Sequence, residues 1–363
     1  MSMKNVVVVH DKSKWCAVPA NNGGNGPTWQ WGDELLVGYT CGEAQFTKSG
    51  HQVDSVNPHI SYLARSKDGG EHWETWMPGS YQGSNGFLTE NAVDLPEAVD
   101  FMSPGFVMRI EGSGYHGNSG HQWFYSNDKG ATWKGPYTFG NLLGSPELAN
   151  KEFTGRTAYL VNSPSECYLF LSMRDAGCNK HGVSITDKVF LAKTKDGGKS
   201  FNFVSWVVPP SDPYRAVMPA PVRISKDNIV TAIRRKDEKN VCWIDCYCSM
   251  NNGRGWEFLS RVGDTGGSNG NPPAMIKLTD GRLCCVYGNR DRHVILAKYS
   301  GDEGKTWGIE QVLREGLQSR NGFPDLGYPR LFQRPDGKLV AVYFWCSQKM
   351  LETHIEATIF KPL

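Results

Sequence analysis

At four places in this sequence arginines close or follow a short apolar run. They are Arg109 in "FVMRIE", Arg174 in "FLSMRD", Arg234 and Arg235 in "TAIRRK", and Arg290 and Arg292 in "CVYGNRDR". The planar guanidinium grips a carboxylate through two parallel hydrogen bonds, so a recurring arginine of this kind suggests a small acidic ligand. The plainer alternative is pairing with sequence neighbours such as Asp175, Asp237 and Asp291. Other reactive side chains stand in comparable contexts: Asp325, Tyr328 and Arg330 in "PDLGYPRLF", His51 and Asp54 in "GHQVDS", Glu43, Arg215, Asn269 and Asn271. A tyrosine, a histidine and carboxylates are the groups from which nucleophiles and proton-transfer catalysts are made.

Positioning these groups requires a scaffold, and the scaffold repeats. "SKDGGEHW", "SNDKGATW", "TKDGGKSF", "SMNNGRGW" and "SGDEGKTW" share one pattern, Ser/Thr-x-Asp/Asn-x-Gly-x-x-Trp/Phe, beginning at Ser66, Ser126, Thr194, Ser249 and Ser300. A short β-rich run precedes each box, as in "HQWFYS" and "HVILAKYS". Ahead of that, "NPPAMIKLTDGRLCCVYG" and "GYPRLFQRPDGKLVAVYFW" each read as a hairpin around Asp-Gly. The unit is strand A, turn, strand B, loop, strand C, box turn, strand D, which is a four-stranded propeller blade at a period of roughly 50 to 70 residues. A sixth A–B hairpin at 327–345 is followed by "HIEATIF" with no box, and "KNVVVVH" at the amino terminus is a free apolar strand. The expected fold is therefore all-β: one domain over 1–363, a six-bladed propeller of four-stranded blades closed by its first strand, which removes two open sheet edges.

In such a ring the starts of A strands and the ends of B strands share one face, and the boxes lie on the other. The face opposite the boxes would carry Asn21, Asn22, Arg215, Asn269, Asn271, Asp325, Tyr328 and Arg330 from A strands. B strands and B–C loops would add Glu43, His51, Asp54, Arg109, Glu111, Arg174, Asp175, Arg234, Arg235, Arg290 and Arg292. The boxes themselves are structural, since Asp or Asn accepts backbone N–H groups in a tight turn and Gly permits positive φ.

Composition narrows the partners. A net charge of +2 from 39 basic and 37 acidic residues supplies no global field for nucleic acid or an anionic membrane. No apolar run approaches the ~20 residues of a spanning helix, and "MSMKNVVVVH" lacks the pattern of a secretory signal, so the chain as given is expected to carry no address. Ten cysteines, several in strand-like runs such as "CWIDCYC" and "RLCCVYG", are expected to be buried, reduced thiols, with no metal site and no cofactor.

The five boxes, "NPPAMIKLTDGRLCCVYGNR" and "DLGYPRLFQRPDGKLVAVYF" together resemble the sialidase (neuraminidase) superfamily of Asp-box, or BNR-repeat, propellers, over essentially the whole chain. That resemblance implies a carboxylate held by three arginines, a tyrosine nucleophile activated by a glutamate, and an aspartate as acid/base. It places Tyr328 as the nucleophile, Arg234 and Arg290 as the second and third arginines, and Asp54 as the acid. Two positions depart: Ala17 stands where the first arginine is expected and Met218 near the glutamate, so another carboxylate such as Asp325 would have to assist the tyrosine.

The expected function is thus a sialidase-like exo-glycosidase acting on a terminal acidic sugar, with Arg234, Arg290, Arg215 and Arg174 as binding groups and Tyr328, Asp54, Asp325 and His51 as catalytic ones. Two alternatives stand beside it. One is a uronate polysaccharide lyase in which His51 or Tyr328 abstracts a proton. The other is a non-catalytic glycan-binding propeller in which Trp29, Trp31 and Tyr115 stack on sugars.

Overall fold

The computed structural model describes residues 3–17, 29–46, 50–54, 56–57, 59–79, 91–111, 122–154, 157–177 and 187–363. Asn21, Asn22, Tyr115 and the side chain of Glu111 lie outside the described residues.

Six antiparallel sheets make up the fold, and the described helical content is two short 3₁₀ segments, Gly140–Gly144 and Pro146–Leu148. Blades four and five are plain four-stranded meanders. Blade four runs Arg215–Arg223, Ile229–Lys236, Cys242–Ser249 and Glu257–Asp264; blade five runs Ala274–Lys277, Leu283–Asn289, Val294–Ser300 and Gln311–Arg314. Blades one and three divide their first strand in two. Lys14–Ala17 and Trp29–Trp31 both pair with Glu34–Glu43, and Lys151–Phe153 and Ala158–Val161 both pair with Cys167–Asp175. Blade two departs from the four-stranded expectation. Its sheet has Val107–Glu111, Gln122–Ser126 and Lys134–Tyr137, with Val93 forming an isolated parallel bridge to Tyr137.

Blade six closes the ring. Gly327–Gln333, Leu339–Ser347 and Met350–Phe360 supply three strands, and Lys4–Val9 supplies the outer fourth, paired antiparallel from Lys4↔Ile359 to Val9↔Ile355. The apolar core is divided among the gaps between blades. Leu36 and Leu63 of blade one pack with Val107 and Phe124 of blade two. Comparable buried clusters join blades two and three, three and four, four and five, and five and six. The last gap joins Val340, Val342 and Ile355 of blade six to Leu35 and Val37 of blade one, with Val8 from the closing strand. Each blade is hydrophobic on both faces and is covered only by its neighbours, so the ring is stable only when closed.

The five repeats form one turn. Ser66, Ser126, Thr194, Ser249 and Ser300 each accept the N–H of the glycine four residues on, at 2.8–3.0 Å, and donate their hydroxyl to the Asp or Asn two residues on. Those glycines have φ between 83° and 91°, which a side chain rarely tolerates.

The cysteines correct one expectation. Cys16 and Cys41 sit directly opposite each other on paired strands, Cα atoms 4.2 Å apart, and form a disulfide. Direct cross-strand register brings the side chains within bonding reach, which a separation of 25 residues conceals. Cys167, Cys242, Cys246, Cys284, Cys285 and Cys346 are buried free thiols and Cys248 is half-buried. Among the described residues no cluster of three metal-ligating side chains occurs, and no helix is long and apolar enough to cross a membrane.

Candidate functional site

Two A strands bulge at the same point, and the residue at each bulge points toward the other. The register shifts between Val217 and Ala220 in blade four and between Gly327 and Arg330 in blade six. Each bulge holds a residue before proline, Met218 with φ 60° and Tyr328 with φ 51°. Proline cannot donate to the ladder, so the strand is free to kink there. A left-handed conformation costs a residue with a side chain about 1–3 kcal/mol, and such strain tends to persist where a side chain must be aimed.

Arg234 occupies the B-strand position opposite Val217, just before the blade-four bulge. Its Nη1 lies 3.3 Å from the Tyr328 hydroxyl and 3.3 Å from the Met218 sulfur, and its Nη2 donates to the Asn269 carbonyl. Arg290 follows the blade-five B strand and donates from Nη1 to the Ser268 carbonyl. Ser268 and Asn269 both have positive φ, 51° and 69°, and this turn presents two successive carbonyls to two arginines from adjacent blades. Lys236 Nζ adds a 2.6 Å hydrogen bond to Asn269 Oδ1. The local field is cationic: burial raises the Cys242 thiol pKa while Arg234, Lys236, Arg215 and Arg290 all act to lower it.

Partners separate the arginines. Arg174 is bound by Glu152, Arg215 by Asp187, Arg235 by Asp212 and Arg292 by Glu310. None of these carboxylates is among the sequence neighbours expected to serve. Asp175 pairs with Lys151, Asp237 accepts the Val241 N–H and Asp291 the Gly267 N–H. Arg109 is buried with its guanidinium 5.2 Å from the Phe124 ring. Among the described residues Arg234 and Arg290, each 2 % exposed, have no carboxylate partner, and Arg234 Nε and Arg290 Nε and Nη2 have no hydrogen bond.

Next to this pair stands a second cluster, built from blades one and six. Asp325 is completely buried and precedes the blade-six A strand. Its Oδ1 is 2.6 Å from His51 Nδ1, while its Oδ2 accepts the Trp15 indole N–H at 2.7 Å and the Thr353 hydroxyl at 2.6 Å. Burial alone would raise its pKa, but the charge and hydrogen bond of His51, then Thr353 and Trp15, outweigh it and hold the carboxyl below its ordinary range. The two clusters share walls. Phe344 packs 6.3 Å from His51 and 5.5 Å from Tyr328, and Phe323 lies 5.3 Å from His51 and 5.5 Å from the Arg290 guanidinium.

Asp54 is placed differently. It caps a turn, accepting the Val56 N–H at 2.8 Å and the Asn57 side-chain amide at 2.5 Å, and these bonds lower its pKa. Its backbone carbonyl contacts His59, which packs 5.9 Å from Trp15.

Trp15, Lys236, Ser268, Phe323, Phe344 and Thr353 were not foreseen from the sequence. Phe344 had a signal: it lies opposite Gly327 just as Arg234 lies opposite Val217, so the strand-end rule applied to every residue type would have found it. The others lie in loops or on neighbouring strands, where no repeat position marks them.

Neither the family models nor the curated proteins match this sequence. Solved structures do. A protein of unknown function from Dyadobacter fermentans is similar with a TM-score of 0.69 at 18% identity, over 99% of both chains. A Hadza microbial sialidase is similar at 0.59 and 16%, covering 91% of this chain and 63% of that one. The alpha-L-arabinanase of Penicillium chrysogenum, complexed with arabinobiose, gives 0.55 and 13% over 98% and 97%. By its fold, this chain is a six-bladed β-propeller, an arrangement similar to that of these solved structures.

Proposed function

We propose that the protein is a carbohydrate-cleaving enzyme whose substrate carries a carboxylate, held between Arg234 and Arg290. The observation that carries this is the burial of two guanidiniums that have no carboxylate partner among the described residues. An unpaired buried charge costs several kcal/mol, and a ligand carboxylate would offset that cost with charge-assisted hydrogen bonds. Support for a sugar comes from the aromatic walls, Trp15, Phe323 and Phe344, and from structural neighbours that include a sialidase and an arabinanase. Tyr328, with its hydroxyl beside Arg234, is the group placed to attack or to stabilise the transition state. Both a sialic acid and a uronate meet this requirement, the former being the sugar implied by the resemblance of the repeats and of Tyr328, Arg234 and Arg290. Arg215 and Arg174, already paired with buried or half-buried carboxylates, are assigned to the scaffold, and Asp54 to its turn.

The test is a hydrolysis and binding screen with chromogenic sialosides and uronides, run on wild type and Arg290→Met. Turnover or binding of an anionic glycoside, lost in the variant, supports the reading. Binding of neutral sugars alone, unaffected by Arg290→Met, removes it.

A further inference from the structure

We infer that the His51–Asp325 pair is the catalytic proton acceptor of this site and that it acts on a uronate, removing the hydrogen next to the carboxylate so that the linkage breaks by β-elimination. The inference rests on the acidic-sugar reading above and adds the reaction class.

Asp325, held ionised, accepts and cannot donate, so the 2.6 Å contact requires His51 to carry its proton on Nδ1. In the neutral ring Nε2 is then the basic lone pair. It has no hydrogen-bond partner among the described residues, and the side chain is 36% exposed. Asp325 is held by two further donors, and the imidazole sits among Trp15, Phe323 and Phe344. A base oriented by a buried carboxylate and open on its other nitrogen is an arrangement for taking a proton. The nearby arginines determine which proton. Elimination needs the carboxylate neutralised while charge spreads onto it; Arg290 lies against Phe323, which also packs on His51, and Arg234 stands beside Tyr328, neither arginine having a carboxylate partner among the described residues.

The step balances without water, oxidant or metal. His51 Nε2 takes the C5 hydrogen as a proton, and its bonding pair becomes the C4=C5 double bond. The C4–O4 bond breaks, and O4 leaves with a proton from the Tyr328 hydroxyl, the acid beside Arg234. Tyr328 thus serves as donor, and this route needs no glutamate beside it to make the tyrosine a nucleophile.

The experiment offers the full chain oligosaccharides of glucuronate, galacturonate and mannuronate in ¹⁸O-labelled water. Expected are a conjugated double bond by ultraviolet absorbance, product masses summing to the substrate mass, and no label. His51→Gln, at a partly exposed position where folding can be verified by thermal melting, should lose turnover by at least ~100-fold while calorimetric affinity for the oligosaccharide stays within about threefold. Labelled, saturated products would establish hydrolysis and overturn elimination while leaving the acidic-sugar reading intact. Uronate binding without cleavage, or turnover undiminished in His51→Gln, also overturns it. Uronate affinity unchanged in Arg290→Met would instead defeat the reading on which the inference rests.

Discussion

Met218 and Tyr328 are equivalent residues of different blades that meet at one guanidinium: each stands before a proline at an A-strand bulge, with φ of 60° and 51°, and Arg234 Nη1 is 3.3 Å from both. The two strained turns therefore converge on one cation, the Arg234 guanidinium. In blade six the equivalent of Arg234 is Phe344, which packs on Tyr328 and passes the contact to His51.

Tyr328→Phe separates chemistry from binding. The ring keeps its contact with Phe344 and only the hydroxyl beside Arg234 is lost. Turnover should fall by at least ~100-fold with substrate affinity nearly unchanged, since a transition-state interaction affects kcat more than binding. Equal steady-state rates for the two proteins would remove the tyrosine from the mechanism.

Arg290→Met and Arg215→Met should have opposite consequences. Removing Arg290 deletes a buried charge that has no carboxylate partner among the described residues, so the melting temperature should hold or rise while affinity for a carboxylate ligand weakens by about 1.5–3 kcal/mol. Removing Arg215 strands the buried Asp187 carboxylate and should cost roughly 3–5 kcal/mol of stability. Thermal melts of both variants decide the matter, and a larger loss for Arg290→Met would make that residue structural.

Deleting residues 3–9 should destabilise all six blades together. The segment supplies the fourth strand of blade six and places Val8 in the core between blades six and one. A single cooperative transition at lower temperature is expected, by calorimetry. An unchanged midpoint would show that the ring closes without this strand.

Asp128→Ala tests the boxes. Asp128 accepts the Ser126 hydroxyl and the Thr132 N–H and hydroxyl at 2.6–2.8 Å, so its loss should cost about 1–2 kcal/mol. Activity per folded molecule should be unaltered, because the turn is far along the strands from Arg234. A folded, inactive variant would move the site to the box face.

Asp325 makes stability depend on acid. Its carboxyl ionises more readily folded than unfolded, so the stabilisation is complete above the ordinary carboxylate pKa of about 4 and is lost as pH falls through the lower folded value. The melting temperature of wild type should exceed that of Asp325→Asn at neutral pH and approach it below about pH 4. A gap that stays constant with pH would contradict the ionised pair.

How much was legible follows from what is local. The box turns, the Asp-Gly hairpins and the alternating strands are made by contacts within a few residues, so their recurrence in "SNDKGATW" or "PDGKLVAV" was enough for the ring and the closing strand, though not for the strand count of blade two. The face rule located Arg234, Arg290, Tyr328, Asp325 and His51 because strand order alone determines which ends meet. It could not tell Arg234 from Arg215 or Arg174, since an arginine's partner is chosen in space: Glu152 and Asp187 come from paired or adjacent segments, not from the carboxylates next in sequence. The same holds for Cys16 and Cys41, joined by register, and for Trp15 and Thr353, brought to Asp325 from opposite ends of the chain by closure of the ring. Backbone pattern is set by neighbours in sequence, whereas the pairing of charge and the burial of a polar group depend on which blades stand side by side.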